Sequence, residues 1–530
     1  MKLPRVLLAA VLVLVGMAML APPASATSKD TLTVLRIIDS NNYDPQRTAA
    51  RSGAEVINML GDTLVTLDPD MKTIRPGLAE SWEIKDGGKT YIFHLRKDVK
   101  FHDGKPFTAA DVVYTFKRWK NPKPKKPLAW RAGPLKDIKA LDKYTVSYEL
   151  TEPFNELLYQ LTLFCATIID QNNVEKLGKD FGVKGFNGTG PYRWVSWTPR
   201  NQMVLEGNPD YKWGPEFYAN KGPVKVKKLI WKIVPEESTR VALLQTGQAD
   251  VSQHLPLWAI KQLEANPKVT VQEFKPFEWT YYCGMKIDRP MMKDPKVRRA
   301  IVAAVNREEI ANKLFFGQVY PAYTYYSEHA IDFDPAILKI MPRYDPALSN
   351  KLLDEAGWKK GEDGFRYKDG KKLTVLAYIF TSWRKEFEAI QGYLRKVGID
   401  FQIQAFDSTV AWGKFATQEF DCWSMSYPYF SVGDALNLYF PSKNMPTPNR
   451  SNWNDPWTDE MLAKGKSAMD PKKRYEIYSK VQRKVHEACV WLPLYHCKML
   501  VASSQRVGGV KTHGIYGCGL YKGIDLEIVK

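Results

Sequence analysis

The chain has little that catalysis or metal binding ordinarily needs. It contains no G-x-S-x-G, H-E-x-x-H or G-x-G-x-x-G, which removes the commoner hydrolase, metalloprotease and dinucleotide-binding patterns. Its seven histidines include no His-x-x-x-His, and its six cysteines no Cys-x-x-Cys, so no tetrahedral ligand set is spelled out and the histidines read as structural or surface residues. Gly88-Lys89-Thr90 has the ending of a phosphate loop, but Glu83 stands where the first glycine belongs and Thr90 opens a strand. Beyond residue 21 no apolar run reaches the roughly 20 residues of a membrane-spanning helix. No cofactor is called for.

What is present begins with an export signal. Lys2 and Arg5 precede the apolar run 6–21, and Ala24-Ser25-Ala26 has the small-x-small form of a cleavage site, so residues 1–26 are expected to be a signal peptide. Thr27 follows, where a lipid-modified protein would carry cysteine, so the mature chain is expected free in a periplasm. Disulfides are permitted there, but six cysteines allow 15 pairings and none is chosen. Of 530 residues 44% are hydrophobic and 25% charged, enough apolar material for a sizeable core, and the length suggests roughly three domains or subdomains. The net charge is +18, and losing Lys2 and Arg5 with the signal takes it only to +16. That excess is scattered. Its densest run, 117–126, is broken by Asn121, Pro122 and Pro124 and has no base-reading helix, which argues against nucleic acid.

Helix punctuation is legible. Asp294-Pro295, Asp345-Pro346 and Asp470-Pro471 read as capped helix starts, the first expected to carry Val297, Ile301 and Val305 on one face and to run towards Gly317. Thr108 with Asp111 reads as a capping box, and Ser382 as the start of a helix stopped by Gly398. Glu236-Glu237 sit where acids complement a helix dipole. Runs rich in β-branched and aromatic residues at 31–38, 90–95, 145–150, 228–234, 374–379 and 400–406 read as strands between them. Interspersed helices and strands without a fixed repeat indicate an α/β or α+β chain of several lobes.

Several segments carry a collective resemblance. Leu78-Ala79-Glu80-Ser81-Trp82, Tyr91 to Arg96, Phe101-His102-Asp103-Gly104 and Phe107 to Tyr114 come first. Gly188-Thr189-Gly190-Pro191-Tyr192, Asn208-Pro209-Asp210-Tyr211, Leu243 to Val251, Val297-Arg298-Arg299-Ala300, Asn306-Arg307-Glu308, Ala356-Gly357-Trp358, Val397-Gly398-Ile399 and Leu492-Pro493-Leu494-Tyr495 follow in order. Together they resemble the family 5 solute-binding proteins, the peptide, oligopeptide and nickel receptors of bacterial ABC importers. The resemblance implies a two-lobed α/β periplasmic-binding-protein fold that closes by a hinge over an interlobe cleft. Lobe one is expected to take 27–275 plus 490–530, with an extra subdomain at about 62–187, and lobe two 276–489. It further implies a soluble monomer that binds a peptide or other small solute without catalysis and docks on an importer permease at the inner membrane.

In this family the ligand lies largely against the segment that here runs from Asp421 to Asp434. Dipeptide receptors place there an acid for the ligand's amino group. Phe430 occupies that place, with Asp434 the nearest acid. Trp423, Tyr427, Tyr429 and Phe430 are four aromatics within eight residues and suit flat or apolar ligand surface. Trp383, Arg384 and Trp412 are further cleft candidates, Arg384 suiting a carboxylate. Asn41 and Tyr43, after the first strand, and Tyr282, near the expected hinge, complete the set. The competing readings are a receptor for a nickel or other metal chelate, a secreted hydrolase, and an exported chaperone or adhesion protein.

Overall fold

A computed structural model describes residues 30–124, 126–274, 279–428 and 431–529. The expected signal peptide, and with it Tyr429 and Phe430, lies outside the described residues.

Two mixed sheets organise the molecule. The first orders its strands Val269–Phe274, Met499–Ser504, Val251–Ser252, Thr31–Arg36, Lys228–Ile233, Gln202–Gly207 and Tyr192–Thr198. The second orders Val319–Pro321, Trp491–Cys497, Trp279–Met285, Cys422–Pro428, Thr374–Phe380 and Asp400–Phe406. In the second sheet the strands Trp279–Met285 and Cys422–Pro428 are buried on both faces over residues 282–285 and 422–425. Lobe two's core gathers Tyr282, Trp423, Leu492 and Leu494 from its sheet with Phe387, Ile390 and Leu394 from the helix Arg384–Lys396. A four-stranded antiparallel sheet, Ala79–Lys85, Thr90–Leu95, Thr145–Leu150 and Leu135–Asp142, stands beside the first lobe and shares its core through Phe93, Val146 and Tyr148.

The chain passes between the two large sheets after Phe274 and again at Lys498. The strand Trp491–Cys497 pairs with Trp279–Met285 in the second sheet, so the return to the first sheet falls at Lys498 and not at the expected 490. The pairing holds because Trp491, Leu492 and Leu494 are fully buried in lobe two.

The Asp-Pro helix starts follow the capping chemistry, whereas Ser382 caps nothing, since the turn Thr381–Trp383 and the helix Arg384–Lys396 both start without a side-chain cap. The carboxylates of Asp294, Asp345 and Asp470 each accept an amide of the first turn, with proline next in line. The first of these helices ends at Ala304, short of Val305, because the Asn306 side chain caps a new turn by accepting from the Glu309 amide at 3.0 Å. No disulfide joins any of the six cysteines; five are buried thiols. No helix among the described residues is long and apolar enough to cross a membrane.

Candidate functional site

Where the lobes face each other, buried polar groups converge. Arg131, in the 3-10 turn Ala129–Ala132 of lobe one, is almost wholly buried with its guanidinium 4.4 Å from the Trp130 ring. It donates to Gln160 Oε1 of its own lobe and, at 2.9 Å, to the Tyr427 hydroxyl of lobe two, and it stands 4.0 Å from Asp434. Burial alone would lower its pKa, but Tyr427 and Asp434 hold it above the ordinary value. Ser431, whose hydroxyl caps the helix Val432–Tyr439, donates at 2.6 Å to Glu156 of lobe one. Thus Asp434 faces a protein cation across the junction. Arg131, Glu156 and Gln160 were not legible in the sequence, since each is a single polar residue in a short irregular stretch with no motif around it.

Tyr516 extends the lobe-one wall. Its hydroxyl donates to the Ala49 carbonyl at 2.9 Å, and burial pushes its pKa up against the pull of the nearby Arg131. In lobe two Tyr281 stacks on Tyr495 at 4.7 Å and lies 4.8 Å from Trp383, and both partners are buried in that lobe's core. A gap of about 450 Å3 opens there between Leu257 and Trp258 of lobe one and Phe315, Thr381 and Arg384 of lobe two. Arg384 lies at its mouth, half exposed and 3.6 Å from Glu388 on the same helix.

Other expected cleft residues are placed elsewhere. Tyr43 is fully buried in lobe one, edge-on to Trp194 and Trp197, its hydroxyl donating to Asp39 at 2.8 Å. Tyr282 is likewise buried, stacked on Trp491 at 4.1 Å. Trp423 fills the space left by Gly284, where a Cβ would stand 2.3 Å from its ring. These three belong to the cores, because the strands of Tyr282 and Trp423 are covered on both faces and the loop holding Tyr43 folds inward. Trp412 is half exposed on the helix Ser408–Thr417, after the sheet's edge strand, packed on Phe380 and Phe415 with Arg450 over its ring at 5.4 Å. Asn41 is exposed on its loop.

Two α/β lobes, crossed twice by the chain and holding buried polar groups of both at their junction, define a two-lobed solute-binding protein. The chain belongs to the family described as bacterial extracellular solute-binding proteins, family 5, whose model matches residues 73–446. It is 28% identical over 507 residues to the glutathione-binding protein GsiB of Pectobacterium atrosepticum, covering 93% of each chain. It is also 28% identical over 476 residues to GsiB of Escherichia coli, covering 88% of each. In fold it matches the periplasmic binding protein DppA of Helicobacter pylori in complex with the peptide STSA, with TM-score 0.78 and 24% identity over 94% of this chain and 98% of that one. NikA of Brucella suis in complex with Fe(III)-EDTA matches with TM-score 0.82 and 22% identity over 94% and 100%.

Proposed function

We propose that this chain is the periplasmic receptor of an ABC importer and captures a peptide or peptide-like solute between its lobes, without breaking a bond in it. The observation that carries this reading is the junction itself. A buried arginine and aromatic side chains line it from both sides, and such a surface suits a ligand with an amide backbone and polar ends. Closure makes the liganded form differ in shape from the open one, which gives a permease something to select. The relatives named for glutathione make that tripeptide the first compound to try. Export by residues 1–26 places the mature chain in the periplasm, where it works as a monomer.

The test is native mass spectrometry of the purified mature chain, then thermal shifts with glutathione, mixed di- and tripeptides and metal chelates. A co-purified peptide near one per chain, or a melting temperature raised by peptides alone, is the expected result, since a ligand of the folded state must stabilise it. A shift produced only by metal chelates, or a peptide cleaved on incubation, refutes the reading.

A further inference from the structure

Next to the junction, on lobe one, two arginines share a single carboxylate. Arg36 Nε lies 3.2 Å from Glu55 Oε2 with both side chains fully buried, and Arg51 Nε lies 3.3 Å from Glu55 Oε1, one turn away on the helix Arg51–Leu60. Arg36 also donates to the Ser52 carbonyl and, at 3.4 Å, to the Tyr43 hydroxyl. His254 Nε2 comes within 3.6 Å of Glu55 Oε1. Burial, and then Arg51, Arg36 and Arg240, push its pKa well down, so it adds no charge. Two guanidinium groups against one carboxylate leave a positive charge in a largely dehydrated place, an arrangement that is costly until an anion joins it.

The donors to meet an anion are there. Arg51, whose Nε faces Glu55, has one terminal nitrogen buried without a hydrogen-bond partner. Gln253 is 5% exposed, and neither its amide nitrogen nor its amide oxygen has a partner. The parallel register sets Leu35 opposite Ser252, so Gln253 follows at the same strand end as Arg36, and its neighbour His254 reaches Glu55 on the helix Arg51–Leu60. That helix starts at Ala50 with no side-chain cap and no acid in its first turn, which leaves its positive end available. Gly517 lies against Arg51, where a Cβ would stand 3.0 Å from Nε. All of this sits at the carboxyl ends of the strands Thr31–Arg36 and Val251–Ser252, where open α/β sheets bind ligands. Arg51 also acts on Tyr281 and Cys497 of lobe two, favouring their ionised forms against the burial that opposes it.

We propose that a carboxylate of the bound solute docks on this cradle, taken by the Arg51 guanidinium and the Gln253 amide at the start of the helix Arg51–Leu60. The inference rests on the peptide-receptor reading and narrows it: the solute is an acid, carrying a free terminal or side-chain carboxylate. Peptides blocked as amides or esters are disfavoured.

The test is calorimetry on the full mature chain with glutathione, its glycine monoethyl ester and its diethyl ester, and with a tripeptide pool as free acids and as terminal amides. Free acids are expected to bind at least roughly tenfold more tightly than fully blocked forms, about 1.4 kcal/mol. The monoester separates the terminal from the γ-glutamyl carboxylate as the docked group. R51M and Q253L, shown folded by circular dichroism, are expected to erase the preference for acids, and R51K to retain part of it. Equal binding of acids and blocked forms by the wild type overturns the cradle and leaves the peptide receptor standing, as does an undiminished preference in both variants. No binding of any peptide, acid or blocked, overturns both.

Discussion

Glu156 brings a carboxyl group into the lobe junction, where Ser431 donates to it and where Asp434, Arg474, Asp332 and Tyr478 are its charged and titratable neighbours. Burial pushes its pKa up to about 7, against the pull of the Ser431 hydroxyl and with help from Asp434. An acid raised in this way holds its proton more tightly when buried than when exposed. Between the ordinary carboxylate range and pH 7, therefore, the folded state binds more protons than the unfolded, and stability falls as pH rises through that window. Glu156→Gln fixes the neutral form. Melts of both proteins at pH 5 and pH 8 are expected to coincide at the lower pH and to show the wild type trailing the variant at the higher, by about 1–3 kcal/mol. A wild type that gains on the variant as pH rises contradicts the assignment. Because Glu156 and Ser431 come from different lobes, the same proton favours the closed arrangement.

At the scale of elements, the Gly188-Thr189-Gly190 turn explains why that motif is written as it is. A Cβ on Gly188 would stand 2.0 Å from the Leu60 carbonyl oxygen, and one on Gly190 2.3 Å from that of Met59. Both obstacles are backbone at the end of the helix Arg51–Leu60 and cannot swing aside. Thr189 between them donates at 2.8 Å to Asp62, which also accepts from Trp213 at 3.0 Å and pairs with Lys522 at 2.6 Å. Gly190→Ala is expected to cost about 1–3 kcal/mol by overpacking, and Asp62→Ala about 3–5 kcal/mol by leaving the buried Lys522 unpaired. Urea unfolding measures both, and a loss below about 0.5 kcal/mol in either refutes its cause. Local chemistry of this kind was readable in advance: the strands Thr90–Leu95, Thr145–Leu150 and Asp400–Phe406 lie where their β-branched runs put them, and the Asp-Pro pairs start helices. The site was less readable. Tyr282 and Trp423 sit on strands buried on both faces, where no polar alternation tells core from cleft. Arg131 and Gln253 acquire meaning only through neighbours far away in the chain. Tyr427 was found because its segment carried a family resemblance, while its partner Arg131 carried none.

At the scale of the molecule, the two lobes touch on the side of the small four-stranded sheet, where Met469 of lobe two packs against Gly88 and several polar contacts join it. The Asn155 side-chain amide donates to the Gly465 carbonyl at 2.6 Å and the Ala468 carbonyl at 3.0 Å, its backbone amide donates to Lys466 at 3.2 Å, and Glu152 pairs with Lys466 at 2.9 Å. Each such contact is worth about 1 kcal/mol net, because water replaces it when the lobes part. The ligand-free protein is therefore expected to sample open forms readily, and the ligand supplies the rest of the closing free energy. Asn155→Ala removes two of these bonds without touching the proposed cradle. Its ligand-free radius of gyration by small-angle scattering is expected to exceed that of the wild type, while the two liganded forms coincide. Its affinity is expected to fall by roughly three- to tenfold, since a receptor whose competent form is less populated binds more weakly by that fraction. Weaker binding with an unchanged ligand-free radius would mean that Asn155 acts on the solute and not on closure. An unchanged affinity and radius together would mean that the contact stores no closing free energy at all.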